Sequence, residues 1–212
     1  MTKREKKRRL IIDEAFQLFS ENGFDGLTFG KIAKNLGMSQ PAIYRYFDSK
    51  MSLLGACAQE AIADSRHTVD ELFDGTQDAR TRLEAYFDET FKWADENPEK
   101  SLAIKSLFYF ASTDQEIHRI HMEIEAQGLD RLRRILLAGQ RERLWDLPDV
   151  DVVARSLHNQ LVGELFKSFY DSSKPAREKR IESINYSLKQ LVYQAPSGAA
   201  EDFAQQQLDL KP

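Results

Sequence analysis

Residues 28–54 read TFGKIAKNLGMSQPAIYRYFDSKMSLL and contain two short helical patterns separated by a tight turn. Thr28 belongs to the residue types that cap helix N-termini, and apolar residues then recur at helical spacing up to residue 36. Gly37 suits the position after a helix, where a positive φ is favourable. Ser39 is a second capping candidate, before a helix predicted over residues 40–47. Two short helices joined by the turn Gly-Met-Ser are the signature of a helix-turn-helix.

Helical periodicity continues on both sides of this stretch, and we find no run of strand-like alternation. The sequence therefore predicts an all-α fold. Predicted helices cover residues 3–22, 28–36, 40–47, 50–73, 78–96, 99–111, 114–143, 150–171 and 176–193. The tail, residues 195–212, is rich in Ala, Gly, Ser and Gln and is predicted to be disordered.

Composition excludes several classes of protein. The 212 residues are 42% hydrophobic, too apolar for an intrinsically disordered chain, and a single cysteine, Cys57, excludes an internal disulfide framework. No apolar stretch approaches the ~20 residues of a membrane-spanning helix, and the basic N-terminus lacks the apolar region of a signal peptide. We therefore expect a cytoplasmic protein with no membrane partner.

The charge is distributed unevenly along the chain. Residues 1–50 hold ten basic and six acidic side chains, whereas the remainder holds twenty basic and twenty-eight acidic ones. Six cations lie between Lys3 and Arg9, where they oppose the dipole of the first predicted helix. That arrangement requires either fraying or an external anion. A basic N-terminal segment followed by an acidic remainder predicts that the N-terminal segment binds a polyanion. A charged face that is merely solvated is the alternative.

The motif resembles the DNA-binding region of the TetR family of bacterial transcription regulators over residues 8–60. The resemblance rests on the helix ending in Phe19 to Gly23, followed by Thr28, Ile32-Ala33, Leu36-Gly37, Ser39, Tyr44, Tyr46-Phe47, Ser49-Lys50 and Leu53-Leu54. It implies a DNA-binding domain over residues 1–50 and a ligand-binding and dimerisation domain over residues 51–194. It further implies a homodimer that represses transcription from double-stranded operator DNA until a small-molecule effector binds. Activation instead of repression stays open.

Physical chemistry suggests how the motif would contact DNA. Gln40 can pair bidentately with adenine, and Pro41 and Ala42 offer apolar contact to a thymine methyl. Hydroxyls and cations near helix starts suit phosphate. The predicted DNA-contacting residues are Thr28, Ser39, Gln40, Pro41, Ala42, Tyr44, Arg45, Tyr46 and Lys50. Thr28 and Ser39 also serve as plain caps, and Arg45 as a solvated side chain. Gly30 departs from the family pattern, in which a polar side chain there reaches a base.

Two further sets of residues are predicted in the helical body. An apolar, effector-binding pocket is expected to be lined by Tyr86, Phe87, Phe91, Phe108, Tyr109, His121 and Phe166. A self-complementary contact between two subunits is expected from Val153, Leu157, Leu161, Leu165, Ile184, Leu188 and Leu191. The effector is predicted to be a largely apolar small molecule, because no cluster of inward charges accompanies these aromatics.

Other functional classes receive weaker support from the sequence. No phosphate-binding loop, dinucleotide fingerprint, nucleophile elbow or Cys/His metal motif is present, so we expect neither an enzyme nor a cofactor. His118 and His121 lie three residues apart, a spacing that can ligate zinc, and a helical metal protein is one alternative. A helical adaptor, whose helix-turn-helix only packs, is another. A basic face joining Lys3–Arg9 to Tyr46 and Lys50 would argue against the adaptor.

Overall fold

The computed structural model describes residues 2–71, 77–168, 171 and 173–193, and this part of the chain is helical with no strand. The predicted helical residues 72, 73, 169 and 170 and the predicted tail lie outside these ranges. The helices are α1 (Lys3–Gly26), α2 (Phe29–Asn35), α3 (Gln40–Tyr44), α4 (Lys50–Glu71), α5 (Ala79–Glu96), α6 (Pro98–Phe110), α7 (Gln115–Arg141), α8 (Val150–Lys167) and α9 (Lys174–Leu188), with a π-helical turn at Lys189–Tyr193. The all-α prediction is confirmed.

The chain divides into two compact units. One comprises Met1–Asp70 with Lys92–Ala126, and the other Glu71–Phe91 with Gln127–Pro212. The helix-turn-helix therefore shares its unit with α6 and the first part of α7. This division by packing differs from the boundary at residue 50 that the family resemblance implied. None of the described helices combines the length and apolarity needed to cross a bilayer.

The core of the first unit is built from one stripe of α1 and the inner faces of the short helices. Ile11, Phe19, Ile32 and Ile43 are fully buried in it. Helix α1 loses regular geometry at Gly23, whose φ of 63° and ψ of −170° lie in a region that favours glycine. The sequence predicted a helix stop at this residue. The break redirects the chain towards α2.

A polar contact fixes the far half of α4 within the same unit. The Asp64 carboxylate accepts hydrogen bonds from Trp93 Nε1 at 3.0 Å and from Lys100 Nζ at 2.7 Å. Burial alone would raise the pKa of Asp64, but the hydrogen bonds from Lys100 and Trp93 outweigh it and lower the pKa. Helix α4 is thus tied to both α5 and α6 by one ionised side chain.

In the second unit, α8 packs against α9, and this packing corrects the predicted subunit contact. The core of one protomer already contains Val153, Leu157, Leu161, Ile184 and Leu188. Their exposed fractions are all 9% or less, so these side chains have no free surface for another copy. Leu165 is half-buried and Leu191 is 39% exposed. Helical spacing identified buried positions correctly, but the residues that bury them belong to the same chain.

Candidate nucleic-acid interface

The two short helices adopt the geometry that their sequence predicts. Thr28 Oγ1 accepts a hydrogen bond from the Lys31 amide at 3.3 Å and caps α2. Gly37 follows with a φ of +60°, which completes the turn. Ser39 occupies the N-cap position of α3, but its hydroxyl makes no capping hydrogen bond. Thr28 is therefore used locally as a cap, whereas the hydroxyl of exposed Ser39 stays available to a ligand.

Helix α3 has one buried face and one exposed face. It ends at Tyr44, three residues earlier than predicted, because Arg45 and Tyr46 form a turn. Ile43 is fully buried and anchors the helix, and Phe47 after the turn is only 3% exposed. The exposed face carries Gln40, Pro41, Tyr44 and Arg45, with Ala42 half-buried beside them. The residues predicted to read bases thus share a solvent-facing surface on a helix that the core holds in place.

Contacts with α2 position two side chains of this surface. The Tyr44 ring packs edge-on against Phe29 at a centroid distance of 4.9 Å, so Tyr44 is oriented although it is 49% exposed. A Cβ added at Gly30 would lie 3.9 Å from Gln40 Oε1. The Gln40 amide therefore lies beside the open position left by Gly30, where the family pattern has a longer side chain.

Lys50 is held more closely than the sequence predicted. Its Nζ lies 3.8 Å from the centroid of the Phe24 ring, a cation–π contact, and burial lowers the pKa of Lys50 while Asp25 raises it. Phe24 in turn packs on Phe110 at the end of α6, at 4.5 Å. Sequence reasoning missed Phe24, because only the contact between Lys50 of α4 and the last turn of α1 gives that ring a role.

Comparisons with known proteins agree with this geometry. Residues 11–57 match the model of the N-terminal region of bacterial regulatory proteins of the tetR family. Tetracycline repressor protein class D of Escherichia coli is 45% identical over 56 residues, which are 26% of this chain and 26% of the repressor. The matched segment thus spans about a quarter of that relative. Residues 11–57 are therefore similar to the DNA-binding region of TetR-family regulators.

Solved structures extend the likeness beyond the DNA-binding region of the TetR family. A TetR transcription regulator from Haloarcula marismortui aligns with a TM-score of 0.80 at 21% identity, over 89% of this chain and 99% of that one. A transcriptional regulator from Saccharomonospora viridis, solved in complex with choline, aligns with a TM-score of 0.78 at 16% identity, over 89% and 98% of the two chains. At these identities the likeness shows a shared fold.

The residues predicted to line a TetR-type effector pocket fall in both compact units. In the second unit, Phe87 and Phe91 are almost fully buried and Tyr86 packs edge-on against Phe87 at 5.3 Å, while Phe166 is half-buried. In the first unit, Phe108 packs edge-on against His121 at 4.2 Å. Tyr109 is 75% exposed on α6. Its exposure corrects its assignment as a polar group inside a pocket, since α6 turns it outward.

The two histidines of α7 have different surroundings. His118 is exposed, whereas His121 is half-buried beside Phe108, with Glu125 at 3.9 Å. Burial lowers the pKa of His121, which Glu125 counteracts. Among the described residues, no group of three or more His, Cys, Asp or Glu side chains is arranged to hold a metal ion. Within the part of the chain that the structure describes, the histidine pair thus has no third ligand of the kind that the metal-protein alternative requires.

Proposed function

We propose that this protein is a homodimeric, ligand-responsive DNA-binding regulator that represses transcription by occupying an operator. The observation that carries the proposal is the exposed face of α3, with Gln40, Pro41, Tyr44 and Arg45 held outward by buried Ile43. Such a helix suits the major groove, where side chains at its N-terminal end reach base edges. The TetR-family match over residues 11–57 supports the same reading. Selection of bound duplexes from a random DNA pool tests it, and recovery of no enriched sequence would contradict it.

Substitution of Gln40 should change which base is preferred. We expect Gln40→Ala to relax the preference at one position of each half-site by roughly 1–3 kcal/mol, because a bidentate amide contact to adenine is lost. Lys50→Ala is the comparison: it should weaken all sequences alike and lower the salt slope by about one for each half-site. Quantitative binding to a panel of single-base operator variants separates the two effects. If Gln40→Ala leaves the base preference unchanged, Gln40 is not one of the residues that contact bases.

Dimerisation would bring two such helices to neighbouring half-sites. With the leucines of α8 and α9 committed to the protomer core, we assign the subunit contact to the outward faces of these helices. Val152 on α8 is 55% exposed, and on α9 Tyr186 is 67% exposed. These apolar side chains are the kind that a second copy would cover. Sedimentation should give a dimer at micromolar concentration, and a monomer there would contradict the assignment.

The first unit contains a route by which its helices could influence DNA binding. Helix α6 packs on α1, and its last residue, Phe110, supports the Phe24 ring on which Lys50 lies. A shift of α6 would therefore disturb a cation at the start of α4, close to the DNA-contacting residues. A structure of a related fold with bound choline supports a small-molecule effector in general. We propose that effector binding favours a state with lower affinity for the operator.

The effector should stabilise the fold and weaken DNA binding together. Because the aromatic residues predicted for the pocket carry few charges, we expect a largely apolar effector. A coupling of ~1–3 kcal/mol would lower operator affinity by about 5- to 150-fold. A thermal-shift screen of apolar, quaternary-ammonium and anionic metabolites, followed by operator binding with each hit, measures both quantities. Hits restricted to highly charged compounds would contradict the apolar pocket, and stabilising hits that leave operator affinity unchanged would contradict the coupling.

A further inference from the structure

A groove of about 580 Å³ opens on the first unit beside the end of α3. One wall is α1, and the other is the turn that follows α3. The groove is lined by Lys3, Arg4, Lys7, Arg45 and Tyr46. Four of these five side chains are cations, which makes the groove strongly electropositive. Helical spacing explains the α1 wall, since residues 3 and 7 lie one above the other on the same face.

Two other cations of the basic run, Arg8 and Arg9, lie in different surroundings, whereas Lys6 is exposed outside the groove. The Arg9 guanidinium donates to Asp13 at 3.2 Å and also bonds Glu60. The Arg8 guanidinium lies 5.1 Å from the centroid of the Phe47 ring. Glu5, the acid within the run, accepts a hydrogen bond from the Thr2 amide at 2.7 Å. These groups are therefore occupied by partners within the protein.

The cations of the groove have no such partners. Across residues 2–71, 77–168, 171 and 173–193, Lys3, Arg4, Lys7 and Arg45 form no ion pair with a carboxylate. Like charges held together repel one another, and the repulsion is relieved when an anion enters. The arrangement is thus more favourable with a polyanion bound than without one.

The ordered start of α1 points in the same direction. Thr2 Oγ1 accepts from the Glu5 amide at 3.2 Å while the Glu5 carboxylate accepts from the Thr2 amide, so a capping box starts the helix at Lys3. The cations on the first turns oppose the helix dipole, yet α1 begins at Lys3 with its capping box formed. Of the two explanations that the sequence allowed, this capped geometry favours an external anion over fraying.

We propose that this groove, the α1 groove, binds the phosphate backbone of the operator duplex outside the bases that α3 reads. The inference rests on the proposed function, because Arg45 and Tyr46 belong both to the groove and to the predicted DNA-contacting set. A duplex lying along α3 would pass the same side chains. Double-stranded DNA presents one negative charge per ~1.7 Å of axis, and Arg and Lys are the usual phosphate partners. The α1 groove would add affinity and register without reading sequence.

The test compares charge removal inside and outside the groove. The triple variant Lys3→Gln/Arg4→Gln/Lys7→Gln keeps good helix formers at exposed positions, and Lys7→Gln alone is a milder version. Lys6→Gln is the matched control, because Lys6 is an exposed cation of the same helix that does not line the groove. Circular dichroism and thermal melting verify the fold of each variant. Operator binding is then measured from 50 to 200 mM salt, with duplexes that end at the selected site and duplexes with added flanks.

For each half-site, we expect the triple variant to lower the slope of log K against log salt by about two to three, and Lys7→Gln by about one, at ~0.9 per phosphate contact. The loss should appear on flanked duplexes and shrink on short ones, with base preferences unchanged. Lys6→Gln should retain nearly the wild-type slope. An unchanged slope in the triple variant, or an equal loss in Lys6→Gln, would overturn the α1 groove while leaving the regulator proposal intact. A wild-type protein that binds no duplex would overturn both.

Discussion

Leu161→Asp is expected to unfold the protomer instead of separating two folded subunits. The Leu161 side chain, on α8, is 3% exposed within one protomer. Burying an ionised carboxylate without a partner is so unfavourable that the group must protonate or the structure must open. A cost of several kcal/mol would remove much of the ~5–15 kcal/mol that stabilises a typical domain. Chemical denaturation followed by circular dichroism should show a large fall in the free energy of unfolding.

Val152→Asp provides the matched control on the same helix. Val152 is 55% exposed, so its replacement should change the free energy of unfolding by only ~0.5 kcal/mol. If the outward face of α8 forms the subunit contact, the same variant should shift the sedimentation equilibrium towards monomer. A folded, monomeric Leu161→Asp protein with an unchanged melting temperature would contradict the core assignment. It would return Leu161 to the subunit contact that its periodicity first suggested.

Phe47→Ala is expected to abolish binding to every DNA sequence because it destabilises the helix-turn-helix. Phe47 is 3% exposed, and its ring contacts the Arg8 guanidinium at 5.1 Å. Truncating a buried phenylalanine costs about 3–5 kcal/mol through lost burial and the cavity left behind. The melting temperature and the affinity for the operator should therefore fall together. A stable Phe47→Ala protein that had lost only operator affinity would instead place the ring in the DNA interface.

Tyr44→Phe is the control for this prediction, three residues away. Phenylalanine keeps the edge-on packing of residue 44 on Phe29 and removes only the hydroxyl. We expect the melting temperature to stay the same and operator affinity to fall by about 0.5–1.5 kcal/mol, the net contribution of one hydrogen bond. Because the hydroxyl is predicted to donate to phosphate, the loss should be equal for all operator variants.

Local sequence specified the helix-turn-helix almost completely. A cap needs a hydroxyl next to the first helical amides, and Thr28 supplies it to Lys31. A residue that ends a short helix with positive φ is best a glycine, and Gly37 adopts a φ of +60°. These requirements involve residues only a few positions apart in the sequence. The motif, with its cap and its turn, can therefore be predicted without the tertiary structure. The helix pattern of the body follows from periodicity in the same way.

The sequence alone could not decide which part of the protein, or which partner, each buried or charged residue contacts. Periodicity predicted that Leu161 is buried, but only the folded protomer showed that its own chain buries it. The basic run was visible as charge, yet the α1 groove exists because folding brings Arg45 alongside Lys7. Likewise Lys50 meets Phe24 only because folding brings the start of α4 to the last turn of α1. Local hydrogen bonds and helical spacing act over a few residues and are written in the sequence, whereas contacts between distant segments depend on how every helix packs at once.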